Sequence, residues 1–97
     1  MANQTAGNPV IFDTTGTLTG IRYVRQIQWV DDAADIADDD DMVLTINGVT
    51  FTHKVQHTNN AASNTVFYNA GPFNPGLQIT DFTVTTLDHG TIVVWLE

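Results

Sequence analysis

The last run of the chain, residues 91–96, reads TIVVWL, and it limits most what the chain can fold into. As a strand it sends Ile92, Val94 and Leu96 to one face and Val93 and Trp95 to the other. A strand apolar on both faces needs cover on both faces. Residues 77–87 before it are rich in Thr, Val, Ile and Phe, all good strand formers. Asp88-His89-Gly90 breaks the two runs apart, and Gly90 can take the positive φ that other residues resist. The chain therefore closes in an antiparallel pair whose last strand wants more cover than a small fold readily supplies. A wrapping arm on a sandwich would provide it, and so would a partner subunit.

Residues 42–55 carry the clearest local signal. Met42-Val43-Leu44-Thr45-Ile46 leads into Asn47-Gly48 and out through Val49-Thr50-Phe51-Thr52-His53. Asn-Gly between alternating runs marks a two-residue hairpin, because both turn positions need φ > 0. That loop sets Ile46 opposite Val49, Leu44 opposite Phe51 and Met42 opposite His53. One face is then Met42, Leu44, Ile46, Val49, Phe51 and Val55, and Thr45 faces Thr50 on the other.

Residues 21–30, IRYVRQIQWV, predict another strand, with Ile21, Tyr23, Ile27 and Trp29 on one face. Arg25 falls on that face and interrupts it. Either a bulge shifts the parity there, or Arg25 pairs with a carboxylate at the rim of the core. Before this strand, residues 1–20 are mostly Asn, Gln, Thr, Gly and Pro, which predicts extended chain. Within them Val10-Ile11-Phe12 is too apolar to leave in water. It is either an edge strand on its own sheet or an arm packed on a neighbouring subunit.

After the hairpin, residues 56–64 form a polar loop, and residues 65–68 a short strand. Residues 69–76, with two Pro and two Gly, make a corner in which Phe73 plugs the end of the core. In residues 77–87 the apolar parity changes between Ile79 and Phe82, so a bulge or twist is expected near Thr80-Asp81. The sum is six or seven short strands and no amphipathic helix. That predicts an all-β domain, a small antiparallel β-sandwich or jelly-roll-like barrel over residues 21–97 with an extended N-terminal arm over residues 1–20.

Charge narrows the function classes. Three basic residues stand against eleven acidic ones, a net charge of −8. Such a chain is repelled by phosphate backbones and by anionic lipid, so neither nucleic acid nor a membrane is an expected partner. Nothing near the start resembles a secretory signal, and no apolar run reaches membrane-spanning length. Synthesis in a cytoplasm and a soluble product are expected. With no cysteine, disulfides and thiolate metal sites are excluded.

The candidates for chemistry are few. Seven carboxylates lie within residues 31–41. Hard cations want such oxygens, but the Gly and the closing Glu of an EF-hand loop are missing, so a solvated loop is the expectation and no cofactor is called for. His53 and His57 lie four apart, about 13 Å along a strand, too far for one metal. His89 beside Asp88 is ordinary turn chemistry, since no nucleophile accompanies it. No enzymatic activity is expected. Trp29, Tyr68 and Trp95 are the aromatics a ligand-binding module would use for stacking.

The stretch GLQITDFTVTTLDHGTIVVWL resembles a segment of small β proteins encoded by tailed bacteriophages. Those share a Gly-Leu start, a Thr-Thr-Leu run, a turn ending in Gly-Thr and a final apolar strand bearing an aromatic residue. IRYVRQIQWV followed by an acidic, Ala-containing loop is similar to their opening strand. The resemblance implies a virion structural protein. The expectation that follows is a capsid decoration (cement) protein, a homo-trimer on the capsid exterior that binds the major capsid protein across capsomers, with Val10, Ile11, Phe12, Val93 and Trp95 at its interfaces. The alternatives are a Ca²⁺- or carbohydrate-binding β module and a neck or tail component.

Overall fold

The computed structural model describes residues 3–30, 40–54 and 66–97. In chain order the strands are β1 (Val10–Phe12), β2 (Gly16–Val30), β3 (Asp41–Ile46), β4 (Val49–Lys54), β5 (Val66–Ala70), β6 (Leu77–Leu87) and β7 (Thr91–Leu96). Every pairing is antiparallel, in the order β1-β7-β2-β6-β3-β4 with β5 added beside β2. The two ends of that order do not pair, so the sheet is open. Of the two expected architectures, the sandwich is the one realised.

One long strand makes two layers out of this sheet. Residues 16–24 of β2 pair with β6. From Val24 onward β2 pairs with β7 on one edge, and from Ile27 onward with β5 on the other. Val24 sits at the exchange, opposite both Leu77 and Leu96. One layer is therefore β2-β6-β3-β4 and the other β1-β7-β2-β5.

Register decides which side chains are inside. Phe12, Ile92, Trp29 and Tyr68 lie opposite one another across β1, β7, β2 and β5, and Val10, Val94, Ile27 and Ala70 form the next row. The facing layer contributes Leu18, Ile79, Phe82, Val84, Leu44 and Met42, all buried. Phe12 stacks on Phe82 with ring centroids 5.8 Å apart, joining the two layers. His53 of β4 meets Trp29 edge-on at 5.9 Å and Tyr68 at 5.1 Å, closing the far side. Each such apolar side chain contributes about 1.5–3 kcal/mol by leaving water.

The Asn47-Gly48 hairpin forms in the predicted register, with φ of 53° at Asn47 and 83° at Gly48. Val55, expected on its inner face, lies outside the described residues, and Val49 is exposed. Asn47 also reaches beyond its own turn. Its Oδ1 accepts from the N–H of Thr80 at 2.8 Å, and its Nδ2 donates to the carbonyl of Gln78 at 3.1 Å. These bonds continue the β3–β6 ladder past the end of β3.

β2 starts at Gly16, earlier than residue 21. Only Leu18 is a large apolar residue in that stretch, so no period marks it. Three register shifts interrupt the pairing of β2: one between Thr19 and Arg22, one between Val24 and Gln26 and, toward β5, one between Trp29 and Val30. The first includes Gly20 at φ +92° and lies opposite the parity change of β6, which falls where expected. The second is the bulge anticipated at Arg25. It corrects the expected face: Val24, not Ile21 or Tyr23, joins Ile27 and Trp29 inside.

The corner at residues 71–76 docks on this second bulge. Phe73 donates its N–H to the carbonyl of Arg25 at 2.8 Å, and its ring packs against the core. Gly71, at φ +109°, passes so close that a Cβ there would lie 2.7 Å from the Arg25 oxygen. Glu97 holds the corner from the other side, accepting the Gly76 N–H on its carboxylate at 2.6 Å.

The N-terminal segment folds back on the domain. β1 is an edge strand of the chain's own sheet, and residues 16–20 belong to β2. Gln4 and Ile11 exchange backbone hydrogen bonds of 2.8 and 2.9 Å on the outer edge of β1. The Asn3 carboxamide oxygen accepts from the N–H groups of Asp13 and Thr14, closing the turn into β2.

Candidate functional site

Alternation along β1 and β7 sorts the five expected interface residues into two groups. Val10 and Phe12 are fully buried in the chain's own core. Ile11, Val93 and Trp95 lie on the opposite, outer side of the same sheet, where Ile11 pairs with Val93 and Val93 with Gln28. Ile11 and Val93 are half-buried, and Trp95 is 41% exposed.

The bulge at Arg25 widens this outer face. Val24 and Ile27 are both buried, so the two residues between them both fall on the outer side. Gln26 pairs with Trp95, and Arg25 is exposed beside it. Tyr23 and Ile21 precede them on the same side of β2, 51% and 64% exposed. The Trp95 indole N–H donates to Gln28 Oε1 at 3.0 Å, across to the neighbouring strand. The bond fixes the edge of a ring that remains 41% exposed. Gln26 donates to Asn69 of β5 at 2.7 Å, so the flanking amides are also tied down. The stripe formed by Ile21, Tyr23, Arg25, Trp95, Val93 and Ile11 contains no carboxylate.

The outer side of the other layer is different in kind. Thr17, Thr83, Thr45 and Thr50 line up across β2, β6, β3 and β4, and their hydroxyls bond in pairs at 3.3 and 2.8 Å. That face satisfies itself and offers little apolar surface.

Asp40, Asp41 and Asp88 gather at one end of the sandwich. Asp40 Oδ2 lies 2.8 Å from His89 Nδ1, and Asp41 Oδ1 lies 2.7 Å from Lys54 Nζ. Asp88 accepts the Asp41 N–H on its carboxylate at 2.8 Å. Trp29 donates its indole N–H to the His89 carbonyl, also at 2.8 Å. Asp88 and His89 thus hold different partners, and both fasten the β6–β7 turn to the strand ends around it. Asp31 to Asp39 and His57 lie outside the described residues. Among the described residues, no group of three or more acidic or histidine side chains is placed to hold a metal ion. Of the three aromatics considered for stacking, Trp29 is fully buried and Tyr68 half-buried under His53; Trp95 alone is exposed.

Ile21, Tyr23 and Arg25 were not among the residues anticipated at an interface. The signal was present as the parity conflict at Arg25: a bulge there turns the residues before it outward. Comparison of the chain with known protein families, characterised proteins and solved structures finds no match.

Proposed function

We propose that the chain is a structural protein of a virion, a decoration protein bound to the outside of a tailed-phage head. The observation that carries this is the outer face of the β1-β7-β2-β5 layer. Together with the outward side of β2 just before its second bulge, where the two layers meet, it exposes Trp95, Tyr23 and Ile21 in a small acidic protein whose outward threonines bond one another in pairs. Aromatic residues in open positions on a rigid sheet are the usual anchors of a protein–protein contact. The phage-like pattern of residues 76–96 supports the particle as the setting.

The mechanism needs no chemistry. Copies seated across capsomer boundaries add buried contact area to the shell, and that area opposes the outward pressure of packaged DNA. The sandwich supports the contact from behind, because Ile92 and Val94, the β7 neighbours of Val93 and Trp95, are fully buried in its core.

Quantitative mass spectrometry of purified particles tests the assignment. A copy number comparable to the number of capsomers is the expected result. A number that fits a single ring transfers the protein to the neck or tail, and absence from the particle overturns the proposal.

A further inference from the structure

Resting on that shell-binding function, we propose that the surface docked on the outer face presents a carboxylate to Arg25 and an apolar side chain to Tyr23 and Trp95. The occupant is a shell subunit, not a second copy of this chain.

Charge complementarity is the first argument. The whole chain carries a net charge of −8. Yet the outward residues of β2 beyond its first bulge, of β7 beyond Thr91, and Ile11 of β1 include no Asp or Glu, and they include Arg25. The carboxylates at the two ends of this side, Asp13 and Glu97, are each already bonded, to the Thr91 hydroxyl and to the Gly76 N–H, so Arg25 is the charge it offers to an approaching carboxylate. Arg25 takes part in neither of the two ion pairs seen among the described residues. The Glu97 carboxylate, at the end of β7 beside Tyr23, accepts the Gly76 N–H. A guanidinium in that position matches a carboxylate bidentately, which an ammonium cannot do.

The placement of the aromatics is the second argument. The bulge sets Arg25 and Gln26 together opposite Trp95, with Tyr23 two residues earlier on the same side. An arginine between a Trp and a Tyr is the residue combination in which binding energy concentrates. The stripe runs roughly 20 Å along β2 and about 10 Å across to β1. That is one docking spot, smaller than the interface of an obligate dimer. A two-fold pair of copies using this face would also bring two such arginines, and two chains of strongly negative net charge, against each other.

The experiment is co-sedimentation of the full chain with purified heads that lack it. Wild type, R25E, R25K and W95A are compared, and their melting curves and solution masses are recorded alongside. R25E and W95A are each expected to weaken binding about 30-fold or more, and R25K several-fold, with melting unchanged. Raising the salt should weaken wild type and leave R25E little affected. If wild type binds and R25E binds within twofold of it, the carboxylate is wrong although the function stands. If the substitutions instead change the mass of the protein in solution, the face joins copies of this chain, and the proposal is overturned. If wild type does not bind heads, the functional assignment itself falls.

Discussion

The side-chain amide of Asn8 takes both backbone groups of Leu96, accepting from its N–H at 2.9 Å and donating to its carbonyl at 3.1 Å. A carboxamide has the same donor and acceptor as a peptide group, so Asn8 extends the three-residue β1 by one rung. It ties the first strand to the end of the last. In Asn8→Ala both Leu96 groups turn to water, and a loss of about 1 kcal/mol is expected from urea denaturation. In Asn8→Asp the acceptor survives, but a carboxylate then faces the Leu96 carbonyl. That variant should be less stable than the alanine one at neutral pH and recover as the pH is lowered through the carboxylate range. Equal stability of the two variants would remove the extra rung from the account.

Removing residues 1–12 tests what the N-terminal segment is for. A detachable arm could be cut away and leave a folded domain. Here Val10 and Phe12 are fully buried, and Phe12 stacks on Phe82 of the other layer. Losing a buried Phe alone costs about 3–5 kcal/mol, a large part of the stability of a domain this size. The truncated chain should therefore be unfolded or molten by circular dichroism and near-ultraviolet spectra. A cooperative melt close to that of the full chain would return the segment to the status of an arm.

Asn47 does two jobs that substitution can separate. It holds φ at 53° in the turn, and its side chain bonds Thr80 and Gln78 of β6. Asn47→Gly keeps the backbone conformation and loses the bonds, a cost of about 1–2 kcal/mol. Asn47→Ala loses the bonds and adds the strain of a left-handed residue with a Cβ, about 1–2 kcal/mol more. Thermal melts should rank wild type above glycine above alanine. If glycine matches wild type, the side-chain bonds carry no stability.

How far these features could be read from residues alone depends on the range of the forces behind them. The hairpin was legible to the residue, because turn chemistry and alternation act over a dozen positions and agree. The bulge at Arg25 was legible as a conflict, a charged residue at an apolar parity, although its outward consequence for Ile21 and Tyr23 was not. The start of β2 was invisible: residues 16–20 become strand by pairing with β6, more than sixty residues away. For Val10-Ile11-Phe12 both readings fitted the composition. Only the pairing of β1 with β7 shows that the outer residues turn inward and the central one turns out. The interface set therefore divided along alternation, a distinction that requires knowing the three residues form a strand.

Neighbouring valines on β7 put that division to a direct test. Val94 is fully buried in the row with Val10, Ile27 and Ala70, whereas Val93 lies on the outer face between Ile11 and Gln28. Val94→Ala opens a cavity in a packed row and should cost about 2 kcal/mol. Val93→Ala removes the same atoms from a half-exposed position and should change stability by no more than about 0.5 kcal/mol. Binding to heads should respond in the opposite sense. Val93→Ala thins the apolar surface beside Trp95 and should weaken binding several-fold, while Val94→Ala, assayed well below its melting temperature, should bind as wild type does. Because the two substitutions are chemically identical and adjacent, a difference in both assays isolates the outer face as the cause. Parallel losses in stability and binding for both variants would mean that binding follows global folding, and the outer face would lose its claim to be the docking surface.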